Sequence, residues 1–344
     1  MKHTSLKFAG AALAIAATAF TARADVTLTP NVSAYGYVST LADYTQYGAN
    51  GVNSDSTLDV NAAKLGFAFN FAPVTAKISF YTTPDVTTVL EANATYDFGQ
   101  GLSVTGGRFQ SWLGYEPFDV PNCNFLTNGA SDFGKKNQDL FPNFHEGVHV
   151  DYAFGKNTVG VAVVDSIYTG NNFYQGDGKL SDGYGIEAHY GFNDGPLSIG
   201  ATGAYQNTRS NNTTFDRVNT WTNMYVGDIW AQYIIDQKTT IGAELAYKRG
   251  VENRRDDLTQ YYGLVSVKQQ ITDQFSVAGR VSAGAFDTGG GDRSFWKISV
   301  TPAYAATKYL VLAGEINYSK YNNKWAGTGK DNDMYVGVLA CFHF

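Results

Sequence analysis

The sequence predicts an all-β fold, a transmembrane antiparallel up-and-down β-barrel of about 16 strands. Three observations carry that prediction. Apolar and polar residues alternate with period two from one end of the chain to the other. Very short turns alternate with long polar loops, and few charges accompany many aromatic residues.

Residues 1–24 read as a cleaved export signal. Lys2 and Lys7 supply a basic start, Phe8 to Phe20 an apolar Ala-rich run, and Ala22-Arg23-Ala24 a small-residue cleavage site before Asp25. The apolar run is too short to span a bilayer, and no apolar run of about 18 residues follows it, so helical membrane spans are excluded. Residues 25–344 are expected to form one barrel domain.

Composition narrows the class. Without Lys2, Lys7 and Arg23 the chain keeps 22 basic against 31 acidic residues, a net charge of −9. Nucleic acid is thereby excluded as a partner, because phosphate binding needs concentrated Lys and Arg. Charged residues make up only 16% of the chain, against 23 Tyr, 22 Phe and 37 Gly, which suits a closed sheet with one face in lipid. Cys123 and Cys341 are too few for a disulfide framework; they are expected to be unpaired and toward opposite membrane sides.

The last strand shows the alternation best. Met334, Val336, Val338, Ala340, Phe342 and Phe344 share one face; Tyr335, Gly337, Leu339, Cys341 and His343 share the other. Similar outward stripes are expected at Leu65, Phe67, Phe69 and Phe71, at Leu90, Ala92, Ala94, Tyr96 and Phe98, and at Ile241, Ala243, Leu245 and Tyr247. Tight turns are expected at 72–73, 99–101, 155–157, 193–196, 236–238, 272–274 and 306–308, where Gly, Asn, Asp and Pro recur. Longer polar segments separate them at about 40–57, 83–88, 110–144, 166–182, 207–222, 250–259, 288–294 and 322–332. Seven turns pair fourteen strands, and a first strand (26–39) and a last (333–344) bring the total to sixteen. Short turns on one side and long loops on the other are the asymmetry of an outer-membrane barrel, with the turns periplasmic. A soluble β-sandwich also alternates, but the uniformly long strands, the inner face thin in charge, and the terminal Phe344 argue against it.

Residues 106–122, Gly-Gly-Arg-Phe-Gln-Ser-Trp-Leu-Gly-Tyr-Glu-Pro-Phe-Asp-Val-Pro-Asn, end a strand and enter a Pro-Asn loop. Together with His145-Glu146-Gly147-Val148, this stretch resembles the signature of the OmpL-like β-barrel porin family. The close similarity covers about residues 103–155, and the remainder agrees in pattern and length. The resemblance implies an exported bacterial barrel and leaves the solute open.

With the apolar stripe outward, the alternation assigns Lys64, Lys77, Lys268, Arg280 and Lys297 to the lumen, with Glu91, Asp97, Asp151, Glu187, Asp228, Glu244 and Glu315. The basic residues fall on early and late strands and the acidic ones in the middle, an arrangement that would set a transverse field across a pore. It also points Arg108 outward unless a bulge shifts the register. The third extracellular loop, 110–144, is the longest, with Glu116, Asp119, Lys135, Lys136 and Asp139 as candidates for a constriction.

Neither cofactor nor metal is expected: His145 and His149 are four apart on a strand with no matched third ligand, and no acidic cluster has calcium-loop spacing. No Gly-x-Ser-x-Gly marks a nucleophile, and His149 and His189 fall on the lumen side, away from any lipid substrate, so no enzyme is expected. The expected function is passive diffusion of small hydrophilic solutes or ions through a water-filled barrel in the bacterial outer membrane. The implied partners are outer-membrane lipid and those solutes, with a homotrimer entering only by analogy with general porins of this size. A barrel blocked by bulky lumen residues such as Trp230, Phe286 and Phe295, serving as a structural or adhesin-like surface protein, is the alternative.

Overall fold

The computed structural model describes residues 25–48, 54–130, 140–167, 180, 183–208, 221–252, 258–287, 293–325 and 330–344. The expected export signal, residues 1–24, therefore lies outside the described residues. A four-residue β1 (Val26–Thr29) pairs with the start of β2 (Val32–Tyr47). Then follow β3 (Asp55–Phe71), β4 (Val74–Thr82), β5 (Thr87–Gly99), β6 (Leu102–Gln110), β7 (Phe144–Phe154) and β8 (Asn157–Val164). The second half holds β9 (Gly183–Asp194), β10 (Leu197–Thr208), β11 (Trp221–Ile234), β12 (Thr239–Glu252) and β13 (Leu258–Gln270). It ends with β14 (Phe275–Asp287), β15 (Arg293–Ala305), β16 (Leu310–Trp325) and β17 (Lys330–His343).

From β2 to β17 each strand pairs antiparallel with the next, and β17 pairs with β2 from Asp333↔Tyr47 to His343↔Tyr37. Sixteen strands thus form a closed ring with no free edge, as membrane-spanning sheets require. Beyond the last ladder pair, the Gly36 and Phe344 N–H groups each donate to the other's carbonyl, at 2.9 and 3.0 Å.

All seven tight turns fall where the turn residues placed them, by two kinds of local chemistry. The turn from β5 to β6 is left-handed at Gly99, Gln100 and Gly101, with φ of 80°, 54° and 87°. The last three turns instead use side chains as caps. Asp236 Oδ1 accepts the N–H groups of Lys238 and Thr239, and Thr272 and Thr307 do the same for the residues that open β14 and β16.

Outward faces are apolar and exposed, for example at Leu245, Tyr261, Val265 and Val338; inward faces are buried. At the long-loop end, outward Tyr184, Tyr205, Tyr225, Tyr247, Tyr261, Trp296 and Tyr318 make a belt, with ring centres 5.1–6.3 Å apart in the pairs Tyr184–Tyr205, Tyr205–Tyr225, Tyr247–Tyr261 and Trp296–Tyr318.

Three expectations are corrected. The first strand is not one segment over 26–39: Pro30-Asn31 turns the chain between β1 and β2, and β2 runs on to Tyr47 because β17 pairs along its whole length. Leu90 is not outward. The register shifts so that Ser79 faces Glu91 while Phe80 faces Val89, and the extra residue Leu90 turns inward, fully buried against the lumen side chains Tyr37, Ala62 and Tyr81. The cysteines are not separated on opposite sides. Cys341 lies inward in the same cluster, and Val120, whose carbonyl accepts the Cys123 N–H, packs against that cluster; both thiols are free.

Gly107 has φ of 120°, and a Cβ there would lie 2.2 Å from the Ala92 carbonyl oxygen. Gly107→Ala is expected to destabilise the barrel by about 1–3 kcal/mol in urea unfolding from bilayers. Gly203→Ala, where a Cβ meets nothing, should instead leave stability within about 1 kcal/mol of the parent. Equal effects at the two positions would contradict this strain.

Candidate functional site

The described part of the segment between β6 and β7, residues 111–130 and 140–143, does not stand above the barrel; it is folded into it and tied to the wall. Its base closes where the Ser111 N–H donates to the Asn143 carbonyl at 2.9 Å. From there the chain runs along the inside of β9 to β12, and three carboxylates on that wall take its backbone N–H groups in turn. Glu187 accepts from Trp112 N and Ser111 Oγ, both at 2.8 Å; Asp228 accepts from Gly114 N at 3.3 Å; Glu244 accepts from Tyr115 N at 2.6 Å. A carboxylate offers acceptors only, so a loop presenting amides is a natural partner, and bonds to charged groups are the stronger kind.

The loop then crosses the lumen. Asp119 meets Lys64 of β3 at 3.0 Å, and Lys64 also touches Glu91 of β5 at 3.1 Å. A single 3-10 turn, Val120–Asn122, touches β17. The chain then comes back to β16, where Glu315 accepts from Leu126 N at 2.5 Å, Thr127 N at 3.0 Å and Thr127 Oγ1 at 2.6 Å. Arg280 of β14 lies at the centre of the return. It pairs with Glu116, donates to the Thr127 carbonyl at 2.8 Å and to Ser299 Oγ at 3.1 Å, and covers the Phe125 ring at 4.3 Å. Lys297 donates to the Asn128 carbonyl at 3.3 Å and Ser282 to that of Gly129 at 3.1 Å.

Apolar contacts complete the seating. Leu113 packs with Ile167, Met224 and Val226; Phe118 and Leu126 pack against the cluster around Tyr81 and Leu339; Leu140 packs with Tyr262, Phe286 and Phe295. Trp112 stacks on His189 at 5.6 Å between ring centres. Trp230, Phe286 and Phe295 all face inward and are buried.

The expected lumen charges therefore divide by role. Glu187, Asp228, Glu244, Arg280, Lys297 and Glu315 hold the loop, and Lys64 joins it to Glu91. Lys77 on β4 and Asp151 on β7 are partly exposed inside; Asp151 pairs with His149 at 2.6 Å. Asp97 sits at the β5–β6 turn and accepts the Gly99 N–H. Of the loop candidates, Glu116 and Asp119 are in ion pairs with the wall, while Lys135, Lys136 and Asp139 lie outside the described residues. Sequence reasoning missed the neutral partners Ser111, Thr127, Gln232, Ser282 and Ser299, and missed that the main partner of the acidic wall is peptide backbone. Burial, with Glu116 and Asp119 nearby, pushes the Cys123 thiol up, which disfavours the thiolate.

Glu315→Ala removes the acceptor of three loop bonds, each worth about 1.5–3 kcal/mol to a charged group. Hydrogen exchange at the Leu126 and Thr127 amides should speed up by at least about tenfold, with the strand amides unchanged. Unchanged protection would show that Glu315 does not hold the loop.

The comparisons agree on architecture. No curated protein sequence gives a significant match. Among solved structures, the anion-selective porin from Comamonas acidovorans aligns with a TM-score of 0.67 at 14% identity over 91% of this chain and 99% of that one. The outer membrane channel DcaP of Acinetobacter baumannii gives 0.65 at 14%, over 93% and 99%. A trimer form of OmpT, an outer membrane protein of Vibrio cholerae, gives 0.63 at 11%, over 91% and 100%. These identities show the fold alone. A family model described as "Putative beta-barrel porin-2, OmpL-like" matches residues 31–344, and the chain belongs to that family of outer-membrane porins.

Proposed function

We propose that the protein is a weakly selective porin whose constriction is the loop 111–143, passing small hydrophilic solutes or ions by passive diffusion. The observation that carries this reading is the loop itself, bound to β3, β9, β11, β12, β14 and β16 across the lumen. A loop so fixed sets the width and charge of a passage at one depth, while Lys77 and Asp151 remain partly exposed toward the short-turn end. The transverse field expected from sequence is weakened in this reading, since Lys64 and Arg280 spend their charge on Glu91, Asp119, Glu116 and Glu315. Export through a leader ending at Ala24, insertion among outer-membrane lipid, and assembly as a homotrimer complete the proposal. It invokes no enzymatic step.

One observation favours the second reading, a barrel that is blocked and serves a structural or adhesive role. Inward side chains on β9 to β15 are buried along most of their length, with Trp230, Phe286 and Phe295 among them.

Planar-bilayer recording separates the two. The porin reading expects ohmic single-channel steps from the refolded protein, and larger, noisier steps from a Glu244→Ala, Glu315→Ala variant in which the loop is loosened. A heat-modifiable barrel silent in both forms would overturn it in favour of the blocked barrel. N-terminal sequencing of protein from outer membranes should begin at Asp25.

A further inference from the structure

The chain has two cysteines, one on the loop and one on the last strand, and the path of the loop brings them to the same place. Asp119 is pinned to Lys64, which stands opposite Tyr37 in the ladder, and Tyr37 stands opposite His343 of β17. Leu126 is pinned to Glu315, which stands opposite Gly337 of β17. The two pins thus straddle β17, one level with each end of the stretch Gly337–His343. Cys123 lies between the pins on the loop, and Cys341 lies between them on the strand, facing inward.

Local contacts narrow the gap further. The 3-10 turn Val120–Asn122 touches β17, Val120 packs against the buried cluster that holds Cys341, and the Val120 carbonyl accepts the Cys123 N–H at 3.1 Å. Burial, Glu116, Asp119 and then Cys341 oppose ionisation of the Cys123 thiol, which puts the two sulfurs within electrostatic reach of each other. The Cys123 S–H donates to the carbonyls of Pro117 at 3.1 Å and Asp119 at 3.4 Å, and a thiol is a weak donor. Turning the sulfur away from them therefore costs little. Cys341 is 1% exposed and Cys123 less buried, so a reagent from outside meets Cys123 first.

We propose that Cys123 and Cys341 are a redox-sensitive pair whose disulfide staples the loop to β17. The Cys123 thiolate attacks a small disulfide from outside, R–S–S–R, giving Cys123–S–S–R and one thiolate that takes up a proton. Cys341 then gives up its proton and displaces the second R–S group, which leaves as the thiol, and the S–S bond joins Cys123 to Cys341. The two cysteines lose two electrons and two protons, and one small disulfide is reduced to two thiols. Outer-membrane porins stand outside the cytosol, in a compartment where disulfides form and persist. The bond adds a covalent pin between the two polar ones. Its formation does not depend on the porin reading; only its effect on conductance does.

The test treats the folded full-length barrel with oxidised or reduced glutathione and then unfolds it for thiol labelling. Oxidation should remove both thiols together, lower the mass by two hydrogen atoms and yield one linked peptide pair, Cys123 with Cys341. Hydrogen exchange at the amides of residues 122–127 should slow by at least about tenfold on oxidation. Cys341→Ser should abolish that change, with heat-modifiable migration reporting that the barrel is folded. In bilayers, oxidised channels should flicker less than reduced ones, a difference lost in Cys123→Ser. Two free thiols after oxidation, a glutathione adduct on Cys123 that never passes to Cys341, or a bond between two chains each overturns the proposal. So does a linked pair with unchanged exchange. A linked pair with slowed exchange in a barrel silent in both redox states supports the staple and overturns the channel reading instead.

Discussion

A sheet that crosses a membrane must satisfy every backbone N–H and C=O within itself, and the pairing of β17 with β2 is where this chain meets that demand. Without that seam β2 and β17 would each present an unpaired edge to lipid. The even strand count follows from it, since an antiparallel ring closes without a parallel pair only when its strands are even in number. So does the length of β2, which extends to Tyr47 because β17 runs beside it. The terminal Phe344, locked to Gly36 by two backbone bonds, ties the last residue of the chain into the seam.

Inside the ring a different problem is solved. The wall of β9 to β16 carries carboxylates at Glu187, Asp228, Glu244 and Glu315, and acidic side chains shielded from water need donors. The loop supplies them mostly as peptide N–H groups, which cost no side-chain entropy to order. Lys64 and Arg280 then take the loop's own acids, Asp119 and Glu116, so the wall neutralises the loop's charge while the loop supplies donors to the wall. The result is that residues 111–130 have little regular secondary structure but a fixed path.

Much of the fold was legible because period two and turn chemistry are local signals. Tight turns at Gly99–Gly101 and at Asp236 could be read from two or three residues, and the strand number followed from counting them. Leu90 could not be placed, since a bulge depends on the partner strand; one extra residue between Val89 and Glu91 reverses a side that alternation alone assigns. The inward position of Glu244 or Glu315 was legible, but not what they hold, because a backbone amide has no residue-type signature and Leu126 is 189 residues from Glu315. Cys123 was misplaced for the same reason: the loop, not the strand order, decides where it lies. Arg108 is the converse case. The plain alternation put it outside, where it is found beside Glu146.

The path of the loop also bears on how the barrel is built. Its tip is fixed to β3 through Asp119 and to β16 through Leu126 and Thr127, two strands that flank the seam on either side. The loop is therefore a clasp spanning the join between the first and last parts of the chain to be made. Its attachment to β16 cannot form until that strand is in place, so the last of its contacts join residues far apart in sequence. Until β16 is paired, the loop can be held from β9, β11, β12 and β14 but not across the join, so its final path is set only as the wall is completed.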